Sequence, residues 1–179
     1  MAKVPAVYWD ACVWIGHINQ EPDKFPRTSY VLSEAVAGRI QIVTSTFSLA
    51  EVLKRKCDKK ESEGIDENED DLFAELLKEP FVTVVNADWD AGMRARDLYR
   101  KHRKDGLKKP QDALHLATAV LENVDELHTF DGCDLLKLAG LVKREDSMTL
   151  MICKPPEPPP PEPKPRTLFD DWGSDEHAQ

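Results

Sequence analysis

Short runs rich in valine, isoleucine, threonine and aromatic residues alternate along the chain with longer segments whose apolar residues recur at helical spacing. The runs are Ala6–Trp9, Ile40–Thr44, Phe81–Asn86, Glu126–Phe130 and Met148–Cys153, and each reads as a buried strand. Helical spacing marks Arg27–Ala37, Ser48–Lys59, Asp70–Lys78, Trp89–Lys104, Asp112–Asn123 and Cys133–Leu138; Leu114, Ala117, Val120 and Leu121 illustrate it. Strands separated by helices predict a three-layer α/β/α fold around a mainly parallel central sheet.

The body ends near Cys153, where the composition changes abruptly. Residues 154–165 read KPPEPPPPEPKP and the remainder is polar and acidic. Proline favours extended polyproline II geometry, and too few apolar residues follow to repay the entropy of ordering. The expected organisation is one domain over 1–153 and a disordered proline-rich, acidic tail over 154–179. No apolar run approaches the roughly 18 residues needed to cross a bilayer, so no membrane association is expected. The start, Met1-Ala2-Lys3-Val4-Pro5, has no secretory pattern, which makes the cytoplasm the expected location. Cys12, Cys57, Cys133 and Cys153 form no Cys-x-x-Cys pair and read as reduced thiols without assigned chemistry.

In a parallel sheet, ligands bind beyond the carboxyl ends of the strands. Asp10 directly follows the first strand, Glu51 is expected to open the helix after the second, and Asp131 directly follows the fourth. Asp112 lies in the first turn of a helix announced by Pro110, and the same topology brings that turn to the same edge. Each acid alone has a plain structural reading. Asp10 suits an N-cap, Ser48 to Glu51 a capping box, Asp112 the helix dipole, and Asp131-Gly132 a turn. Together, four carboxylates at one edge repel one another unless a cation neutralises them. An all-oxygen site suits Mg²⁺ or Mn²⁺ rather than zinc, and such an ion supports phosphodiester hydrolysis.

These segments, Tyr8-Trp9-Asp10-Ala11-Cys12, Ser48-Leu49-Ala50-Glu51-Val52, Pro110 to Ala119 around Asp112, and Thr129-Phe130-Asp131-Gly132-Cys133-Asp134-Leu135, resemble the PIN-domain family in order and spacing. The resemblance spans about Val7 to Leu141. It implies a metal-dependent endoribonuclease whose catalytic, ion-binding acids are Asp10, Glu51, Asp112 and Asp131, with Asp134 as a supporting or alternative ligand. It is similar in particular to VapC-like toxins, which implies an RNA substrate, a homodimer and an antitoxin partner.

A net charge of −9 argues against coating nucleic acid by bulk attraction and leaves room only for a local basic rim. Arg94, Arg100, Arg103, Lys104, Lys108 and Lys109 belong to the densest basic stretch and are the candidate RNA contacts; Lys54, Arg55 and Lys56 could extend it. Thr129 is a candidate supporting residue, and His115 reads as packing. Leu168-Phe169-Asp170-Asp171-Trp172 in the tail has the form of a short docking motif. Two rivals share the fold prediction: a PIN fold acting as a non-catalytic interaction module, which the complete acid set disfavours, and a stand-alone RNA-processing nuclease. A dehalogenase-like phosphatase would need Asp-x-Asp where the chain reads Asp10-Ala11-Cys12, and neither Gly-x-Gly-x-x-Gly nor a P-loop occurs.

Overall fold

The computed structural model describes residues 4–52 and 67–160, with the side chains of 67–70 excepted. Lys54, Arg55, Lys56, Cys57, the end of the helix expected over Ser48–Lys59, and the Leu168–Trp172 motif lie outside the described residues. Five strands, β1 (Ala6–Trp9), β2 (Gln41–Ser45), β3 (Val82–Val85), β4 (Glu126–His128) and β5 (Met151–Cys153), form one sheet in the order β3-β2-β1-β4-β5. Every pairing is parallel, and Val7 faces Ile42 on one side and Glu126 on the other. The expected three-layer parallel architecture is therefore the observed one.

Alternation along β1 explains why its sequence is apolar throughout. Tyr8 packs into one core with Leu116, Ala117, Leu127 and Leu135, under α5 (Trp89–His102) and α6 (Pro110–Leu121). Val7 and Trp9 pack into the other with Val13, Trp14, Val31 and Phe73, under α1 (Ala11–Ile18), α2 (Phe25–Val36) and α4 (Glu67–Leu76). A strand covered on both faces has no polar side to show.

Three details differ from expectation. Helix α1 was not anticipated; it buries Ala11, Val13, Trp14, Gly16 and Ile18 and so lacks the one-sided stripe that betrays a surface helix. Helix α3 (Thr46–Glu51) starts directly from the last residue of β2, with Ser45 at its N-cap position, so Glu51 closes the helix instead of opening it. Ser48 is accordingly no cap, and its hydroxyl shares a 2.9 Å hydrogen bond with that of Thr44. The segment Cys133–Leu138 forms a 3-10 turn over Leu135–Leu138 rather than an α-helix. Beyond β5, the first tail residues run past α2, where Arg27 donates to the Pro155 carbonyl at 2.7 Å and pairs with Glu157.

Candidate active site

Because all strands run the same way, the chain leaves β1, β2 and β4 at one edge, and a cleft of about 510 Å³ opens there. Asp10, Glu51, Asp112 and Asp131 all line it, with Cys12, Phe47, Lys109, Gln111 and His115 among its other walls. Asp134 does not line it.

Asp10 follows β1 and caps α1: its Oδ1 accepts from the Val13 amide at 3.1 Å and from the Cys12 thiol at 2.9 Å. It is almost fully buried, and burial raises its pKa against the opposing effects of His115, Cys12, Thr129 and the Val13 amide. Glu51, at the end of α3, is held by His115, whose Nε2 lies 2.6 Å from Glu51 Oε2. The other ring nitrogen of His115 lies 2.8 Å from the hydroxyl of buried Tyr8. This histidine thus anchors an active-edge carboxylate to the core, a role that its sequence position alone did not reveal.

Asp131 sits in the loop after β4. Its Oδ1 accepts from the amides of Cys133 (2.7 Å) and Asp134 (3.1 Å), and its own amide donates to Thr129 Oγ1 at 2.9 Å. Its Oδ2 accepts from Lys109 Nζ at 2.8 Å. Burial works to raise its pKa, but Lys109 and the two amides outweigh that and hold it below the ordinary carboxylate range. Buried Asp134 spends its Oδ2 on the amides of Lys108 (3.1 Å) and Lys109 (3.0 Å), fixing the backbone that enters α6. Cys12 ties the two loops together: it donates to Asp10 and accepts from the Phe130 amide at 3.1 Å.

Asp112 is the exposed flaw in this network. Its Oδ2 is buried without a hydrogen-bond partner among the described residues, with Lys109 Nζ 3.5 Å away. Burial pushes its pKa up to about 7; Lys109 lowers it, while Asp131 and Asp134 add to the rise. A buried carboxylate oxygen facing other carboxylates is costly unless a cation meets it. The donor set is all oxygen, so a hard divalent ion fits it.

The chain matches the family model of the PIN domain over residues 7–139. It belongs to the PIN-domain family. Solved structures similar to this PIN domain include VapC20 of Mycobacterium tuberculosis, described as a sarcin-ricin loop cleaving toxin. The two are 17% identical with a TM-score of 0.52, covering 70% of this chain and 90% of that one. A toxin-antitoxin complex from Klebsiella pneumoniae is 20% identical with a TM-score of 0.55, covering 85% and 99%. VapBC2 from Rickettsia felis, bound to a DNA fragment from their promoter, is 19% identical with a TM-score of 0.54, covering 82% and 96%. No curated protein matches.

Of the basic residues singled out in the sequence, Lys109 lines the cleft. Arg103 lies over the Tyr99 ring, whose hydroxyl donates to the Lys108 carbonyl at 3.1 Å, while Arg100 and Lys104 are exposed around the end of α5. Arg94 pairs with Glu145 and lines a different hollow with Lys101, His102 and Arg144.

A second group of ligand-type side chains, Glu126, His128 and Cys153, gathers where β4 meets β5. Trp9 Nε1, which can only donate, points at His128 Nδ1 at 3.2 Å. The neutral ring must then carry its proton on Nε2, directed at Glu126 Oε2 2.8 Å away. That nitrogen has no lone pair for a metal, and Cys153 is a thiol whose pKa burial and Glu126 push up to about 12. The group is a satisfied hydrogen-bond chain.

Proposed function

We propose that this PIN domain is a metal-dependent endoribonuclease and the toxin of a toxin–antitoxin pair. The observation that carries the reading is the buried Oδ2 of Asp112, which has no hydrogen-bond partner among the described residues and only the Lys109 ammonium 3.5 Å away, in a cleft that also gathers Asp10, Glu51 and Asp131. Mg²⁺ or Mn²⁺ would be held among these acids, which form one all-oxygen cluster. Bound there, the ion would activate a water for attack on phosphorus and stabilise charge on the phosphoryl oxygens.

The chain's own residues supply position and charge. His115 keeps Glu51 turned to the cleft, the α1 cap keeps Asp10 in place, and Asp134 sets the path of the Lys108–Lys109 backbone into α6. Thr129, fully buried, fixes the Asp131 loop by accepting its amide. Lys108, Arg103, Arg100 and Lys104 form the rim that receives RNA phosphates in an otherwise acidic protein, while Lys109 is turned to Asp131 and Asp112. Arg94, already paired with Glu145, contributes little to that rim.

An antitoxin partner is supported by similar structures being toxin–antitoxin complexes. A homodimer is supported by exposed Trp89 and Met93 on α5, near an apolar hollow lined by Ala95, Tyr99, Pro110 and Leu114. No described helix is long and apolar enough to cross a membrane, and cytoplasmic action on RNA is part of the proposal. The test is cleavage of a structured RNA, beside a matched single-stranded DNA, with Mg²⁺, Mn²⁺ or EDTA and an Asp112→Asn control. Metal-dependent RNA cleavage lost in the control is the expected result. No cleavage under any metal, with RNA binding indifferent to EDTA, would point to an interaction module.

A further inference from the structure

Lys109 is built into the acidic cleft as a cation. Its Nζ lies 2.8 Å from Asp131 Oδ2 and 3.5 Å from Asp112 Oδ2, bridging two of the four carboxylates. The other oxygen of Asp131 is engaged by the amides of Cys133 and Asp134, so Oδ2 is the oxygen through which Asp131 meets a cation, and the ammonium occupies it. The root of the side chain is fixed as well. Asp134 accepts the Lys108 and Lys109 amides, and Lys109 sits at the N-cap position of α6, three residues before Asp112. Its extended backbone at that position leads into the turn that carries Asp112, and its ammonium reaches both acids.

A second divalent ion beside it would have to take Asp131 Oδ2 from the ammonium. We propose that Lys109 takes the place of a second divalent ion, so that the cleft binds one Mg²⁺ or Mn²⁺, held by Asp10, Glu51 and Asp112. This rests on the metal-dependent reading above.

The test counts Mn²⁺ bound to the full chain from the paramagnetic resonance signal of the free ion, with Asp112→Asn as background. One ion is expected in the wild type and in K109R, two in K109Q, and one again in K109Q/D131N, where the ligand released by the first change is removed by the second. The Lys109 side chain is 55% exposed, so the glutamine should be tolerated; circular dichroism melting of every variant checks this. Two ions in the wild type, in K109R or in the double variant, or one in K109Q, overturns the proposal and leaves the metal-dependent nuclease standing. No ion above background in the wild type overturns that underlying reading instead.

Discussion

Replacing Asp112 by asparagine should stabilise the metal-free protein at pH 8 while abolishing the stabilisation that metal brings. The Asp112 carboxyl has a pKa of about 7 against an ordinary 3.8, because it is buried beside Asp131 and Asp134 with only partial relief from Lys109. The folded state therefore holds a proton that the unfolded chain has lost between about pH 4 and pH 7. Stability falls as pH rises through that window and is level above it. A gap of about 3 units corresponds to about 4 kcal/mol. The cleft is open to water and the side chain is 14% exposed, so screening reduces the expected penalty to about 2 kcal/mol. Asparagine removes the charge, and its amide has Asp131 and Asp134 as neighbouring acceptors.

The assay is thermal melting by circular dichroism from pH 5 to pH 8 in EDTA, then with Mn²⁺. In EDTA the variant should gain on the wild type as pH rises, reaching about 4 to 8 °C at pH 8 for a domain of this size. With Mn²⁺ at about 100 times its Kd, the wild type should gain about 2.7 kcal/mol and the variant far less, reversing their order. A gap between the two proteins that stays flat from pH 5 to pH 8, or a variant that melts lower than wild type in EDTA at pH 8, refutes the reasoning.

Asp134→Ala should cost about 1 to 2 kcal/mol by urea denaturation, because it removes the acceptor of the part-buried Lys108 and Lys109 amides, and RNA cleavage should fall with it. Asp134→Asn keeps an acceptor oxygen and should lose less than half as much. Tyr8→Phe removes the hydroxyl that steadies His115 and should lower stability by about 1 kcal/mol. Cleavage by that variant should drop by up to about tenfold through the looser hold on Glu51, while a rate equal to wild type would show that His115 needs no such support. Any change in melting temperature caused by Zn²⁺ should be the same in wild type and Cys153→Ala, since His128 Nε2 carries the proton and the Nδ1 lone pair is taken by Trp9; a shift lost in the variant would mean the tautomer is wrong. Asp10→Asn and Asp10→Ala should both abolish cleavage, but only alanine should also lose the helix cap, about 1 kcal/mol.

The strands were legible because burial on both faces of a parallel sheet leaves short apolar runs between turn signals, and β1 matches its expected bounds residue for residue. Helix α1 was not legible for the same physical reason: wedged among the sheet, α2 and α4, it is apolar nearly all round and has no period to find. Glu51 was assigned to the cleft correctly in place but at the wrong end of its helix, since nothing in Thr44-Ser45-Thr46 announces that helix begins without a loop. The bridging roles of Lys109, His115, Cys12 and Asp134 depend on contacts between residues far apart in sequence. Tyr8 and His115 are separated by 107 positions, a pairing that no local pattern encodes.

The structural bonds of Asp10 and Asp131, weighed in the sequence against a proposed ion-binding role, use one oxygen of each carboxylate and leave the other to face the cleft or its lysine. Asp10 gives Oδ1 to the start of α1 and still lines the cleft. Asp131 gives Oδ1 to the turn at Cys133 and Asp134 and presents Oδ2 to Lys109. A carboxylate that caps a helix or closes a turn is already fixed in orientation, which removes most of the entropy that ordering a free side chain would cost when a cation arrives. A cap at the end of a parallel strand is therefore a natural origin for an ion-binding residue, because the fold has immobilised it for reasons of its own. Asp112 is the exception: it lies inside the first turn, its buried Oδ2 has no hydrogen-bond partner among the described residues, and the Lys109 ammonium 3.5 Å away relieves its charge only in part.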